Sequence, residues 1–322
     1  MTERPKRLAI LHSRAAPRGT RHHMIVVIAD RLREMGIEVV DLYGTDHFVP
    51  ADAVFVHVDI SVVPPSLQRF AQRYPIRINA GACDIRKRRF ADGLLARGSD
   101  YPAPVIVKSD LNYGGAPEFH ELSLRDRAVR RARRMLAGQP RPRIVSKADY
   151  RIFPTLDSVP ADYFTGDNVV QKLLLEKDGT KNLLREYMFL GDLHYENIER
   201  SDETIITEDE HVSCLPFTPH PRLRALRLKL GLDYGKIDYV MIGGEPFIFD
   251  ANKTIGLGAK SQTDQFGEGV NEMLQAFAAS LFSLLNNSGA AAQPATAAPA
   301  AVPEPTEPSA QCPEAVRRAA IG

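Results

Sequence analysis

Hydrophobic residues in the first hundred positions form short continuous runs that alternate with stretches of helical periodicity. The runs predict four strands, over Leu8–Leu11, Ile37–Tyr43, Ala53–Val58 and Ile76–Asn79. One helix is predicted from Met24 to Met35, with Gly36 after it, and a second begins at Pro64-Pro65. Strands that alternate with helices favour a parallel sheet covered on both faces. Residues 1–100 are therefore predicted to form a small parallel α/β domain.

After Pro102 the apolar segments are mainly strand-like and are joined by turns. Strands are predicted over Val105–Lys108, Ile144–Tyr150 and Val169–Leu175, hairpins over Arg185–Ile198 and Lys236–Ala251, and helices over Pro221–Leu230 and Asp264–Leu285. We divide this α+β part into a small lid subdomain, residues 101–175, and a larger subdomain, residues 176–286. Residues 287–322 are rich in Ala and Pro and poor in large apolar side chains, which predicts a disordered tail.

The composition excludes several classes of protein. A formal net charge of +1 produces no global field that would attract nucleic acid or an anionic membrane. Three widely spaced cysteines, Cys83, Cys214 and Cys312, form neither a disulfide framework nor a metal-ligand spacing. The N-terminus lacks the apolar stretch of a signal peptide, and no apolar run is long enough to cross a bilayer. We therefore predict a cytoplasmic protein without a membrane partner.

The second predicted hairpin carries the strongest pattern for chemistry. Strand residues two apart share a face, so Asp250 and Asn252 project together. A three-residue turn, Gly243 to Glu245, would place Asp238 opposite Asp250, and so would an equivalent bulge. Opposed carboxylates repel each other unless a cation lies between them, and Mg²⁺ prefers such hard oxygen ligands. The alternative is an exposed hairpin whose carboxylates face water.

Lys108 ends a predicted strand and is followed by Asn112 and the pair Gly114-Gly115. An ammonium on a strand next to a glycine loop suits phosphate binding, because glycines let main-chain N–H groups approach the oxygens closely. The segment lacks the Gly-x₄-Gly-Lys-Ser/Thr pattern of a Walker loop. A plain turn is the alternative interpretation.

The run from Val169 to Leu175 ends in a carboxylate, Glu176. A flat purine could lie against such a strand and bond to its main chain, while the carboxylate accepts from two ribose hydroxyls. The alternative is a core strand that leads into the turn at Lys177–Thr180.

In this order, these segments resemble the ATP-grasp superfamily over roughly residues 8 to 283. The resemblance implies an ATP-grasp fold that follows the small parallel α/β domain. It assigns nucleotide contacts to Lys87, Lys108, Asn112, Gly114, Gly115, Gln171, Lys172, Leu173, Leu174 and Glu176. It assigns metal binding to Asp238, Asp250 and Asn252, and a catalytic role near the transferred phosphoryl group to Arg185. Two features depart from the family: Asp250 stands where Glu is more frequent, and Lys253 follows Asn252 where Pro is usual.

The resemblance implies a ligase that uses ATP and Mg²⁺, with Mn²⁺ as a substitute. A substrate carboxylate would become an acyl phosphate, and an amine or another nucleophile would displace the phosphate. The expected partners are a small-molecule or peptide carboxylate and an amine-type acceptor, and a homodimer is left open. Two alternatives remain: a small-molecule kinase of the same fold, and a non-catalytic nucleotide-binding scaffold.

Three further features have no assigned role in this scheme. Six arginines lie between Arg125 and Arg134. They belong to the segment Ser109–Asp167, which is predicted to close over the site as a lid. They form either a solvated helix or a docking site for an acidic partner or anionic substrate. Nucleic acid is not expected there, because no aromatic residues are interleaved with them. Lys253 is a candidate for something specific to this chain, and His12 ends a strand and is a candidate to face the cleft.

Overall fold

The structure is a computed structural model, and it describes residues 4–18, 23–122, 125, 128–129, 149–206, 210–257 and 266–287. Three predicted segments lie wholly or mostly outside these residues. They are the tail after Asn287, the basic segment 125–134 and the strand Ile144–Tyr150.

The first hundred residues form a four-stranded parallel sheet of order β2-β1-β3-β4. Its strands are β1 (Arg7–His12), β2 (Glu38–Tyr43), β3 (Ala53–Val56) and β4 (Ile76–Ile78), and its helices are α1 (Met24–Glu34) and α2 (Pro65–Ala71). In α1 the residues Ile25, Ile28 and Leu32 are buried at helical spacing. Gly36 follows the helix with φ of 87°, a conformation that glycine adopts without strain. The predicted parallel sheet is confirmed.

A three-stranded antiparallel sheet follows, with order β6-β5-β7. It consists of β5 (Val105–Ser109), β6 (Arg151–Phe153) and β7 (Asn168–Lys172), and helix α3 (Ala116–Glu121) lies between β5 and β6 in the chain. Strand β7 ends three residues earlier than predicted, so Leu173, Leu174 and Leu175 belong to a loop. Because these leucines are not in a strand, their side chains need not alternate between two faces, and all three can line one cavity.

The third sheet is antiparallel and has the order β11-β10-β9-β12-β13, with β8 paired to the first half of β9. Its strands are β8 (Glu176–Asp178), β9 (Lys181–Leu190), β10 (Leu193–Ser201), β11 (Glu210–Pro216), β12 (Tyr234–Ile242) and β13 (Glu245–Asn252). Helix α4 (Pro221–Lys229) precedes β12, and helix α5 (Glu268–Asn287) follows the sheet. Strands β8 and β11 were not predicted. The α/β fold class, with a parallel sheet followed by antiparallel sheets, is confirmed.

One hydrophobic core connects the first and third sheets. Ile28 and Leu32 of α1 pack in the same cluster as Met188 of β9 and Phe277 of α5. Asn79 adds a polar connection after β4: its side-chain oxygen accepts from the main-chain N–H groups of Asp233 and Tyr234, both at 2.8 Å. The two sheets are thus held at a defined position relative to each other.

Cys83 and Cys214 are free thiols. Within the described residues, no helix is both long and apolar enough to span a membrane.

Candidate active site

The hairpin of β12 and β13 places Asp238 directly opposite Asp250. The expected three-residue turn is wrong, because Ile242 pairs with Glu245 and only Gly243 and Gly244 form the turn. Both glycines have positive φ, as a tight two-residue hairpin turn requires. A bulge between Asp238 and Tyr239 then shifts the register by one residue and restores the pairing of the two aspartates, which was the predicted alternative.

Two buried lysines contact these aspartates. Lys87 Nζ lies 3.1 Å from Asp250 Oδ1, and Lys236 Nζ lies 3.2 Å from Asp238 Oδ1. Lys236 also pairs with Glu186, which lies opposite Asp238 on β9. Burial by itself would lower the pKa of Lys236, but the carboxylates of Asp238 and Glu186 outweigh it and raise that pKa well above its usual value. Both lysines therefore remain charged, and each aspartate has an ammonium beside it.

A cleft with an empty volume of about 740 Å³, its open mouth included, lies beside the hairpin. Part of its wall is apolar, from Ile106, Leu173, Leu174, Leu175, Leu183, Leu184, Ile205, Ile206, Val240 and Phe249. Its polar lining includes Lys108, Asp238 and Asp250. The cleft thus combines an apolar surface that can hold a flat ring with charges of both signs that can hold phosphates and a cation.

Two buried side-chain oxygens in this cleft have no hydrogen-bond partner among the described residues: Gln171 Oε1 and Asn182 Oδ1. The amide nitrogen of Gln171 donates to the carbonyl of Asp92 at 2.6 Å, and that of Asn182 donates to the carbonyl of Glu203 at 2.9 Å. A buried acceptor without a partner is costly. A ligand that brings N–H donors into the apolar part of the cleft would satisfy both oxygens.

The bulge of β13 also shapes the cleft, because its extra residue is Phe249. The ring of Phe249 lines the cleft, and Lys108 Nζ lies 5.2 Å from the ring centroid. Tyr150 lines the cleft as well, and burial raises the pKa of its hydroxyl to about 12. The bulge therefore has two effects: it pairs Asp238 with Asp250, and it places the ring of Phe249 near Lys108.

Arg185 was predicted to lie near the transferred phosphoryl group, but its side chain is on the other face of the third sheet from Asp238. On β9 it pairs with Tyr239, whereas its neighbour Glu186 pairs with Asp238, so strand alternation directs Arg185 to the opposite face of the sheet. There it donates to Glu176 at 2.7 Å and to Glu196 at 3.1 Å. In this arrangement Arg185 lies on the face opposite Asp238, and its predicted role near a phosphoryl group stays a prediction.

Glu176 is occupied by the same network. It accepts from Arg185 through both oxygens at 3.0 Å, and from the main-chain N–H of Met241 at 2.7 Å. Its expected role as the ribose carboxylate would require it to exchange these partners for hydroxyl groups. The structure gives Glu176 a structural role that the sequence did not suggest.

The predicted phosphate loop contacts the first domain instead of the cleft. The main-chain N–H of Asn112 donates to Ser61 Oγ at 2.8 Å, and Glu118, just beyond the loop, accepts from the main-chain N–H of Ser61 at 2.7 Å. Gly114 and Gly115 have positive φ, so this loop does need glycine, but for its turn. The contacts of Asn112, Gly114 and Gly115 with phosphates stay a prediction.

The donor groups of the hairpin suit Mg²⁺ in kind. Asp238 and Asp250 are opposed, and Asn252 follows two residues later on the same face. Among the described residues, no three His, Cys, Asp or Glu side chains form a metal site of their own.

Sequence reasoning missed Glu186, Lys236, Asn182 and Tyr150 in this region. A signal for the first two was present, because Lys236 shares a face with Asp238 by alternation and Glu186 lies on a hairpin strand. Asn182 and Tyr150 reach the cleft only through the packing of the second sheet against the third.

Comparison with solved structures finds several ATP-grasp proteins that are similar to this chain. The chain is similar to the macrocyclase MdnC bound with precursor peptide MdnA from Microcystis aeruginosa (13% identity, 85% of this chain and 99% of that chain, TM-score 0.44). It is also similar to a RiPP-associated ATP-grasp ligase from Chryseobacterium gregarium in complex with ADP and a leader and core peptide (12%, 88% and 97%, TM-score 0.42). A third similar structure is the D-alanine–D-alanine ligase of Bacillus anthracis (10%, 87% and 99%, TM-score 0.37).

No protein-family model matches the chain, and no curated protein is significantly similar to it. At the identities and TM-scores above, the structural likeness carries no argument about activity. The function proposed below is therefore argued from the residues of this chain.

Proposed function

We propose that the chain is an ATP- and Mg²⁺-dependent ligase that activates a substrate carboxylate as an acyl phosphate and joins it to an amine or another nucleophile. The observation that carries the proposal is a single cleft with two complementary parts. It offers an apolar wall with two unsatisfied acceptors, and it offers Lys108 next to two opposed aspartates.

The apolar part suits a purine base. Leu173 and Leu174 would flank the ring, and the oxygens of Gln171 and Asn182 would accept hydrogen bonds from its amino group. These contacts use residues 171–174, to which the resemblance assigns nucleotide contacts, together with Asn182, which the sequence did not single out. Binding would satisfy buried acceptors that are otherwise without partners.

The charged part suits a triphosphate with a divalent ion. Asp238, Asp250 and Asn252 would hold Mg²⁺, and Lys87 and Lys108 would neutralise phosphate charge. When bound, MgATP supplies the phosphoryl group that activates the carboxylate. The chain's own contribution is to position the reactants and to balance charge, which is what phosphoryl transfer mainly needs.

The proposal is tested first by nucleotide binding. We expect isothermal titration with Mg²⁺ and a non-hydrolysable ATP analogue to show one site. The variant Asp250→Asn should weaken that binding about 100-fold, because it removes a metal ligand and leaves Lys87 without its partner. Glu245→Gln is the matched control, since Glu245 starts the same strand but is 61% exposed. Equal affinity in Asp250→Asn and Glu245→Gln would contradict the metal assignment.

Turnover then separates the ligase from its alternatives. ADP release is measured against pools of carboxylic acids combined with pools of amines. Phosphate and a condensed product identify a ligase, and a stable phosphorylated product identifies a kinase. Nucleotide binding without ADP release from any pool would favour the non-catalytic scaffold.

A further inference from the structure

A second cavity lies at the carboxyl-terminal edge of the first sheet, with an empty volume of about 1160 Å³ that includes its open mouth. Its lining includes four histidines, His12, His23, His57 and His120, together with Asp41 and Asp59. His12 ends β1, and His57 follows β3. The chain passes from β1 to β2 on one side and returns to β3 on the other, so these two residues flank the point where the strand order reverses. Open parallel sheets bind their ligands at such points.

The histidine rings form a continuous wall. The rings of His12 and His57 are 5.4 Å apart and those of His23 and His57 are 4.8 Å apart, between centroids. His12 Nε2 lies 2.8 Å from Asp41 Oδ1. His57 is 2% exposed, and its Nε2 has no hydrogen-bond partner among the described residues. A buried ring nitrogen without a partner on the wall of a cavity indicates a site for a ligand atom.

The wall is built to accept hydrogen bonds. Burial, followed by the nearby His23 and His12, lowers the pKa of His57 well below its usual value, so the ring is neutral and offers a lone pair. Asp59 Oδ1 accepts from Thr254 Oγ1 at 2.6 Å, and Asp59 Oδ2 lies 3.9 Å from His23 Nε2. Near Asp59 the buried ammonium of Lys253 donates to the carbonyl of Ala82 at 3.2 Å. An incoming donor with a positive charge would complement this wall, whereas an anion would meet Asp59 and Asp41.

The cavity and the proposed nucleotide cleft share no lining residue, but Tyr113 interacts electrostatically with carboxylates of both. Thr254 follows Asn252 by two residues, and Tyr113 lines the cavity. The pKa of the Tyr113 hydroxyl is raised by desolvation and then by the carboxylates of Asp59, Asp250 and Asp238, although 49% of the side chain is exposed. The Tyr113 hydroxyl is therefore within electrostatic range of Asp59 in the cavity and of the two hairpin aspartates in the cleft.

We propose that this cavity binds the primary ammonium group of the acceptor substrate, with His57 Nε2 and the Asp59 carboxylate accepting its N–H hydrogens. This inference rests on the proposed ligase function and names the subsite and the chemical class of its second substrate. His57 and Asp59 would be binding residues of the acceptor, and the nucleotide would be held elsewhere.

The test uses the full chain labelled with ¹⁵N and the imidazole signals of its histidines. The probes are n-butylammonium, n-butanol and butyrate, which share a chain and differ in charge. We expect butylammonium to shift the signals of His57 and His23 in a saturable way. Butanol and butyrate should not do so at the same concentrations. Saturable binding of butyrate with equal or greater affinity would overturn the proposal.

Two variants sharpen the result. Asp59→Asn keeps the shape of the side chain and should weaken butylammonium binding at least about tenfold, because a charge-assisted hydrogen bond is lost. His57→Phe should abolish the saturable shift of His23. The matched control is His47→Gln, an exposed histidine of the same domain whose loss should change nothing. Unchanged affinity in Asp59→Asn would overturn the assignment.

Titration of the same samples with Mg²⁺ and the ATP analogue separates this inference from the proposed function. Asp59→Asn should keep the wild-type nucleotide affinity within about twofold, because Asp59 lines the other cavity. A wild-type chain that binds butylammonium but not the nucleotide would overturn the ligase function and leave the ammonium site supported. A chain that binds the nucleotide but not butylammonium would do the opposite.

Discussion

The two faces of the third sheet carry similar charged residues in different situations. On one face Lys236 pairs with Glu186 and Asp238, next to Asp250 and an open cleft. On the other face Arg185 bridges Glu176 and Glu196, which also accepts from the hydroxyl of Tyr239. The first group lies beside cavity-lining carboxylates. In the second group the charged side chains form hydrogen bonds and ion pairs with one another.

The difference shows how a functional charge can be told from a structural one. The Arg185 network has a forked donor, two carboxylates and a main-chain N–H, and these match one another in number and geometry. The Lys236 group has one compact ammonium between two carboxylates, and its neighbour Asp250 lines the cleft. A divalent cation could replace the ammonium in the second arrangement but not the guanidinium in the first.

The largest expected effect comes from Lys236→Met. Without Mg²⁺ the variant should lose about 3 kcal/mol of its free energy of unfolding, because two largely buried carboxylates lose their common cation. Millimolar Mg²⁺ should restore much of this loss, since a divalent ion held by Asp238 and Asp250 would replace the lost positive charge. Urea denaturation with and without Mg²⁺ measures both quantities.

If Mg²⁺ raised the free energy of unfolding of the wild-type protein by the same amount, this explanation would be contradicted. The stabilisation by Mg²⁺ would then not depend on the removal of the Lys236 ammonium. Lys229→Met is the matched control, since Lys229 lies on α4 away from the sheet's charged residues. It should show neither the loss nor the rescue.

The second prediction concerns the opposite face. Arg185→Met should lower the free energy of unfolding by about 2 kcal/mol, because Glu176 and Glu196 remain partly buried without their partner. Mg²⁺ should restore none of it, and affinity for the ATP analogue should stay within about threefold of wild type. A loss of nucleotide affinity by an order of magnitude or more, in protein that is still folded, would return Arg185 to the nucleotide site.

The smallest expected effect on stability concerns Asp59, a carboxylate that lies outside the third sheet. Burial raises the pKa of Asp59 to about 6, above its unfolded value of 3.8, and Glu118 contributes in the same direction. The folded protein therefore binds more protons than the unfolded chain between these values, and this residue costs stability as the pH rises from about 4 to about 6. Asp59→Asn removes that cost.

We expect Asp59→Asn to be more stable than wild type by about 1 to 2 kcal/mol at pH 8, with the difference shrinking towards zero at pH 4. Urea denaturation at pH 4, 6 and 8 measures the trend. A difference between variant and wild type that does not change with pH would show that Asp59 titrates normally and is a satisfied residue like Glu176.

Much of the fold could be predicted because its signals are local. The parallel domain followed from four apolar runs separated by helical stretches, and the hairpin of β12 and β13 from apolar strands around Gly243-Gly244. Strands β8 and β11 were missed because β8 has only three residues and the apolar residues of β11 are interrupted by Ser213 and follow Glu210 and His211. The fold class was therefore accessible where periodicity was strong, and not where strands are short or polar.

The candidate site divides in the same way. Asp238, Asp250 and Lys108 were identified correctly as residues of one cleft, because each was read from strand alternation or from a strand end. The face on which Arg185 lies could not be predicted, because it depends on the register between β9 and β12, and a change of one residue reverses every side chain. The docking of the glycine loop could not be predicted either, because its shape is local but its partner, Ser61, is about fifty residues away.

By itself, the sequence determined which residues share a strand face and where turns are permitted, since these depend on a two-residue period and on the freedom of glycine. Only the tertiary structure decided which faces meet. It joined Lys87 to Asp250, paired Arg185 with Glu176, and collected His12, His23 and His57 around one cavity. The physical reason is that these contacts depend on burial and on strand register, which no local pattern contains, and that Lys87 and Asp250 lie far apart in the chain.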